Sequence, residues 1–134
     1  MIKAVIYDFD DTLVDSDSLH IESWEQALKE YNVKSFNDFK KWRAEKLIGR
    51  SSLDNAHSIV EHYQIDIDPE IFYQKKVEIF MQIAADKLQL LPGVLDSIKL
   101  FKKEELELAI ATGSPRKYLQ SVLKKFNLNP YFDV

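Results

Sequence analysis

The stretch Lys3-Ala4-Val5-Ile6-Tyr7-Asp8-Phe9-Asp10-Asp11-Thr12 decides the fold. From Lys3 to Phe9 it is short, apolar, rich in β-branched and aromatic side chains, and not alternating. Such a run predicts a strand buried on both faces, as in a parallel sheet. It ends abruptly in carboxylates. Asp8 and Asp10 would share a face if the strand persisted, but the backbone is expected to turn there. A second run of the same kind, Leu106 to Thr112, is followed by Gly113-Ser114-Pro115.

Between the two runs the pattern is helical from about Ser16 to Leu88. Asp17 or Ser18 is positioned to cap a helix with Leu19, Trp24, Ala27, Leu28 and Tyr31 near one face. Ser35 opens a second, with Phe36, Phe39 and Trp42. Ser51 or Ser52 opens a third, with Leu53, Ala56, Ile59, Val60 and Tyr63. Asp68-Pro69 places a cap and an N1 proline before a longer helix through Ile79 and Ile83. Leu91-Pro92-Gly93 breaks the pattern. Two further helices carry Val94, Leu95, Ile98, Phe101 and Leu119, Val122, Leu123, Phe126. Tyr131-Phe132-Asp133-Val134 reads as the start of a third strand.

The reading is therefore α/β: an incomplete layer of parallel strands with flanking helices, 1–15 and 90–134, interrupted by a helical insertion, 16–89. Two short strands with two helices leave strand faces and edges uncovered. The sheet is expected to be completed by residues beyond Val134 or by another chain. Pairing through exposed strands would give a homo-dimer or a strand-swapped assembly.

The 134 residues hold 18 Lys plus Arg against 22 Asp plus Glu, a net charge of −4, which argues against a chain built to grip nucleic acid. No cysteine is present, which excludes a disulfide scaffold, a thiolate zinc site and a cysteine nucleophile. No run approaches the roughly 18 apolar residues of a membrane span. The expectation is a cytoplasmic protein with neither a nucleic-acid nor a membrane partner.

In open parallel sheets, ligands bind beyond the carboxyl ends of the strands. Clustered carboxylates at the first strand end call for a cation, and oxygen-only ligands suit Mg²⁺. At the second end Thr112 offers a hydroxyl, and Gly113 permits close backbone approach. Ser114 and Pro115 are expected at the N-cap and N1 of a helix whose free N–H groups favour an anion. A metal-binding acidic cluster beside an anion cradle describes phosphoryl chemistry. One Asp serves as nucleophile, a second shuttles a proton, and the metal neutralises charge.

The segment Asp8-Phe9-Asp10-Asp11-Thr12-Leu13-Val14-Asp15-Ser16 resembles the first motif of the haloacid dehalogenase-like hydrolase superfamily, Asp-x-Asp-x-Thr/Val. Leu108-Ala109-Ile110-Ala111-Thr112-Gly113-Ser114 resembles the second, an apolar strand ending in Thr or Ser. The insertion resembles the small helical cap of the phosphoglycolate phosphatase and β-phosphoglucomutase branch. Leu47-Ile48-Gly49-Arg50-Ser51 falls where that cap carries a substrate loop. The resemblance implies a Rossmann-like core and a Mg²⁺-dependent phosphatase of a small phosphorylated metabolite, working through an aspartyl-phosphate. It implies Asp8 as nucleophile and metal ligand. It implies Asp10 as general acid/base, its backbone carbonyl on the metal. Thr112 would bind the phosphoryl group with Ser114 and the N–H groups near Asp11 and Gly113. His20 and Arg50 would be cap residues facing substrate.

The third and fourth motifs of that superfamily, a Lys or Arg and an acidic metal ligand, are expected beyond Val134, so this chain alone is expected to be inactive or slow. Asp11 stands where many relatives have Gly. Plainer readings accompany these. His20 packs at a hinge, Arg50 is a surface residue, and Lys75 or Lys76, which the cap would otherwise turn into the cleft beneath it, points to solvent. The alternative activities are a sugar-phosphate mutase, a phospho-acceptor receiver module and a non-catalytic binding fragment.

Overall fold

β1 (Ala4–Tyr7) and β2 (Glu107–Ile110) pair in parallel, with Ala4 opposite Glu107 and Tyr7 opposite Ile110. The computed structural model describes residues 2–132. The helices are α1 (Asp17–Glu30), α2 (Phe39–Lys46), α3 (Ser52–His62), α4 (Pro69–Lys87), α5 (Val94–Lys103) and α6 (Arg116–Lys125). A 3-10 turn covers Asn129–Tyr131. The chain divides into two compact units, Met1–Asp17 with Leu88–Val134, and Ser18–Lys87. None of the helices among the described residues is long and apolar enough to cross a membrane.

The first unit is α/β. Its core is built from Phe9, Leu13 and Val14 after β1, Leu108 of β2, Ile98 of α5, and Tyr118, Val122 and Leu123 of α6. The chain re-enters from α4 through an antiparallel bridge of Val14 with Leu90 and a bond from the Leu91 N–H to the Leu13 carbonyl. Gly93 then takes φ 80° as the N-cap of α5, a left-handed conformation that glycine adopts without a Cβ penalty. The Tyr7 hydroxyl meets Ser97 Oγ at 3.1 Å, and the Tyr7 ring lies 6.4 Å from that of Phe101, so α5 covers that end of β1.

Burial of the strands on both faces is not what the structure has. Ala4 and Ile6 are exposed, Ile6 by 69%, while Val5 and Tyr7 are half-buried. An apolar, non-alternating run suits a strand covered on both faces. Among the described residues the two strands pair only with each other, which leaves their outer edges open, and the face that carries Ala4 and Ile6 is exposed. The third strand expected from Tyr131 does not begin at that residue; Phe132 is extended. Tyr131 ends the 3-10 turn and Phe132 is buried, its ring edge-on to Tyr7 at 5.9 Å. Asp133 and Val134 lie outside the described residues.

The second unit is all helical. Leu19, Trp24, Ala27 and Leu28 of α1 are buried, as are Ala56 and Ile59 of α3 and Phe72, Ile79, Phe80 and Ile83 of α4. Trp24 stacks on Phe72 at 5.8 Å. Ser51 caps α3 by accepting the Asp54 N–H at 3.1 Å, and Asp68 accepts the Glu70 N–H at 2.8 Å at the start of α4. The second helix opens later than Ser35 suggested. Asn37 and Asp38 form a turn, and α2 begins at Phe39, whose side chain is fully buried. Asp38 stands at the N-cap without a side-chain cap bond.

Candidate active site

β1 ends at Tyr7, which leaves Asp8 as the first residue beyond the strand, exposed at its tip. Its Oδ1 accepts the Phe9 N–H at 2.7 Å. Phe9 turns inward and is completely buried. Its carbonyl gathers the N–H groups of Thr12, Leu13 and Val14 at 3.3, 2.9 and 3.3 Å. One buried ring and one shared acceptor thus fold the acidic segment into a tight turn.

Asp11 sits in that turn at φ 55°. Its N–H donates to the Val14 carbonyl at 2.8 Å. Its Oδ1 accepts from the N–H groups of Ser16 and Asp17, at 3.0 and 2.9 Å, and from Ser16 Oγ at 3.3 Å. The carboxylate therefore caps α1 from upstream, where Asp17 or Ser18 had been expected to cap. Its charge meets the positive end of the helix.

Asp10 reaches the other strand end. Its Oδ2 accepts a short hydrogen bond from Ser114 Oγ, and its Oδ1 accepts from the Tyr118 hydroxyl at 3.3 Å. Tyr118 is buried and packs edge-on to Phe9 at 5.2 Å. Burial, then the adjacent Asp10 charge and hydrogen bond, push its phenol well above the ordinary tyrosine range, so it stays a donor at neutral pH.

Thr112 follows β2, and its Oγ1 accepts the Ser114 N–H at 3.0 Å, closing a short hydroxyl turn. The Ala111 N–H donates to the Tyr7 carbonyl at 2.9 Å, which carries the pairing one residue past β2 and aligns the two tips. A Cβ built on Gly113 meets no atom within 4 Å, so open space lies beside that backbone. Ser114 is not the helix cap that had been expected. Pro115 takes that position with ψ 135°, and the serine hydroxyl goes to Asp10 instead.

The other two predicted residues lie in the helical unit. His20 stacks on Phe80 at 4.1 Å, and its Nδ1 is 2.9 Å from Lys76 Nζ. Arg50 is exposed and donates to Ser58 Oγ at 2.9 Å. Lys76 corrects the expectation of a solvated side chain. It is 2% exposed, with its ammonium 4.9 Å and 4.8 Å from the rings of Trp24 and Phe80. Two aromatic faces and a ring nitrogen compensate the cation there. Lys75, its neighbour, pairs with Glu30 at 2.9 Å.

Sequence reading missed Tyr118 altogether. The available signal was weak: a phenol four residues after Ser114, at the start of an amphipathic helix. It also missed that Phe9, between the two aspartates, would be the ring on which Tyr118 rests.

The donor set fits Mg²⁺, which takes one or two carboxylates and keeps several waters. Asp8 is exposed, and only its Oδ1 has a hydrogen bond among the described residues. Both side-chain oxygens of Asp10 accept hydrogen bonds. No group of three His, Cys, Asp or Glu side chains suited to a metal occurs among the described residues.

Comparison with known proteins gives a consistent set of relatives. The haloacid dehalogenase-like hydrolase family model matches residues 5–134. The chain is 25% identical over 133 residues to a phosphorylated carbohydrates phosphatase of Thermotoga maritima, covering 99% of this chain and 60% of the relative. It is 26% identical to the fructose-1-phosphate phosphatase YqaB of Escherichia coli, covering 97% of this chain and 66% of that protein. The crystal structure of CbbY from Rhodobacter sphaeroides in complex with phosphate superposes with a TM-score of 0.82 at 25% identity, over 100% of this chain and 62% of that one. The chain thus spans about 60% of the length of these relatives.

Proposed function

Since the chain belongs to the haloacid dehalogenase-like hydrolase family, we propose that it carries the nucleophile and proton-transfer half of a phosphatase for a small phosphorylated metabolite, acting in the cytoplasm. The observation that carries this reading is the bond between Asp10, beyond β1, and Ser114, beyond β2. It joins the acidic strand end to the hydroxyl-and-glycine strand end, as phosphoryl transfer between them requires. The phosphatases among the relatives support the reaction class. Phosphate bound to CbbY supports the ligand class.

In this reading a carboxylate oxygen of Asp8 attacks phosphorus, and the bond from phosphorus to the substrate oxygen breaks. Asp10 delivers its proton to the departing oxygen. Asp10 then takes a proton from water, whose oxygen attacks phosphorus, and inorganic phosphate leaves with Asp8 regenerated. Thr112 orients a phosphoryl oxygen, with the Gly113 backbone beside it, while the Ser114 hydroxyl, expected to bind phosphate, holds Asp10 instead. Mg²⁺, held by Asp8 and the Asp10 carbonyl, would screen the repulsion between nucleophile and phosphoryl group. The helical unit, with His20 and Arg50, would act as the cap that selects the substrate. No third carboxylate joins the pair among the described residues, so turnover by this chain alone is expected to be slow.

Two measurements test the reading. With Mg²⁺ and a panel of sugar monophosphates, the chain should release inorganic phosphate, and Asp8→Asn should lower that rate on the order of 1000-fold or more. Fluorine NMR should detect a beryllium fluoride complex with Mg²⁺ on the chain that Asp8→Asn does not form. Isomerised sugar phosphate without free phosphate would replace hydrolase with mutase. Absence of both turnover and the fluoride complex would end the reading.

A further inference from the structure

The chain places one more group on the proposed proton donor. We propose that Tyr118 is a positioning residue for Asp10, holding its carboxylate in register with the tip of β2; this rests on the role proposed above for Asp10. Three observations support it. Tyr118 is 3% exposed, and its ring packs edge-on to Phe9, which is completely buried. The Phe9 carbonyl in turn organises the acidic turn through three N–H groups. The phenol is therefore anchored to the same residue that shapes the loop carrying Asp10.

From that anchor the hydroxyl reaches Oδ1 of Asp10 at 3.3 Å, while Ser114, just before α6, donates to Oδ2. At its length the phenol bond is the weaker of the two. Its value is geometric. A single donor leaves a carboxylate free to rotate about its Cβ–Cγ bond; two donors, one on each oxygen, fix that rotation. Proton transfer needs the carboxyl within hydrogen-bond reach of the leaving oxygen, and a misplacement of about 1 Å is costly. Tyr118 touches neither substrate nor metal in this account and acts only through Asp10.

The test is Tyr118→Phe, which keeps the ring and its packing on Phe9 and removes only the hydroxyl. Carbon NMR of the side-chain carboxyl groups, with Asp10 assigned from Asp10→Asn, reads the contact without turnover. The Asp10 resonance should move and the Asp8 resonance should stay; an unmoved Asp10 resonance overturns the proposal. In kinetics, kcat for a hexose monophosphate should fall about tenfold with KM within about twofold. The rate on p-nitrophenyl phosphate should fall less than about twofold, because that leaving group departs with little need of a proton. Equal losses on both substrates, or a loss confined to KM, would also overturn it. If the unmodified chain neither turns over a substrate nor forms the beryllium fluoride complex, the phosphatase reading fails, while the carbon resonance still decides the contact.

Discussion

Asp11 holds its left-handed φ of 55° because three donors at the start of α1 converge on its carboxylate. Asp tolerates that conformation better than most residues. Asp11→Ala removes the acceptor and leaves two helix N–H groups without it. A loss of about 1–2 kcal/mol in chemical denaturation is expected, and Asp11→Asn should lose less, since an amide oxygen still accepts. Such a result would separate the cap from any role at the phosphoryl site. Lys76 makes a related point. Its position among polar and apolar neighbours on α4 reads as a solvated helix face, yet it is buried against Trp24 and Phe80. The packing of α1 on α4 brings Trp24 over it, while Phe80 lies one turn further along α4 itself.

At the scale of elements, α2 and α3 are tied by a small aromatic and acidic cluster. His62 stacks on Trp42 at 4.1 Å, and its Nε2 lies 3.6 Å from Asp38. The Tyr63 hydroxyl donates to the same Asp38 carboxylate at 3.2 Å. Burial, then the Asp38 charge and hydrogen bond, push the Tyr63 phenol up from 10.0 to about 12. The unfolded chain releases that proton first, so the stabilisation is complete below pH 10 and is lost as pH rises through about 12. Thermal denaturation across that window should narrow the gap between the unmodified chain and Tyr63→Phe; a gap independent of pH would contradict the linkage. Helix starts vary in how far they can be read locally. Ser51 and Asp68 cap as their spacing indicates, because the acceptor and the N–H lie within three residues. The start of α1 does not, because its acceptor comes from Asp11, five and six residues upstream of the N–H groups it takes.

At the scale of the whole molecule, the described sheet keeps an open face. Two strands of four residues pair only with each other, and Ile2, Ile6 and Leu100 are 76%, 69% and 53% exposed. A two-stranded sheet is marginal by itself. Hydrogen exchange should therefore run faster in β1 and β2 than in the buried stretch of α4 around Phe72 to Ile83; equal protection would mean that the sheet is stabilised by something these residues do not reveal. The parallel α/β class, the two polar strand tips and the helical insertion are legible in the residues alone. Periodicity, turn residues and the Asp-x-Asp spacing act over a few residues and need no partner. Only the tertiary structure decided that Asp10 is held by Ser114 and Tyr118, 104 and 108 positions away, that Lys76 is buried, and that the strands keep an open face. Those outcomes depend on which distant side chains packing brings within reach, and local spacing does not encode that.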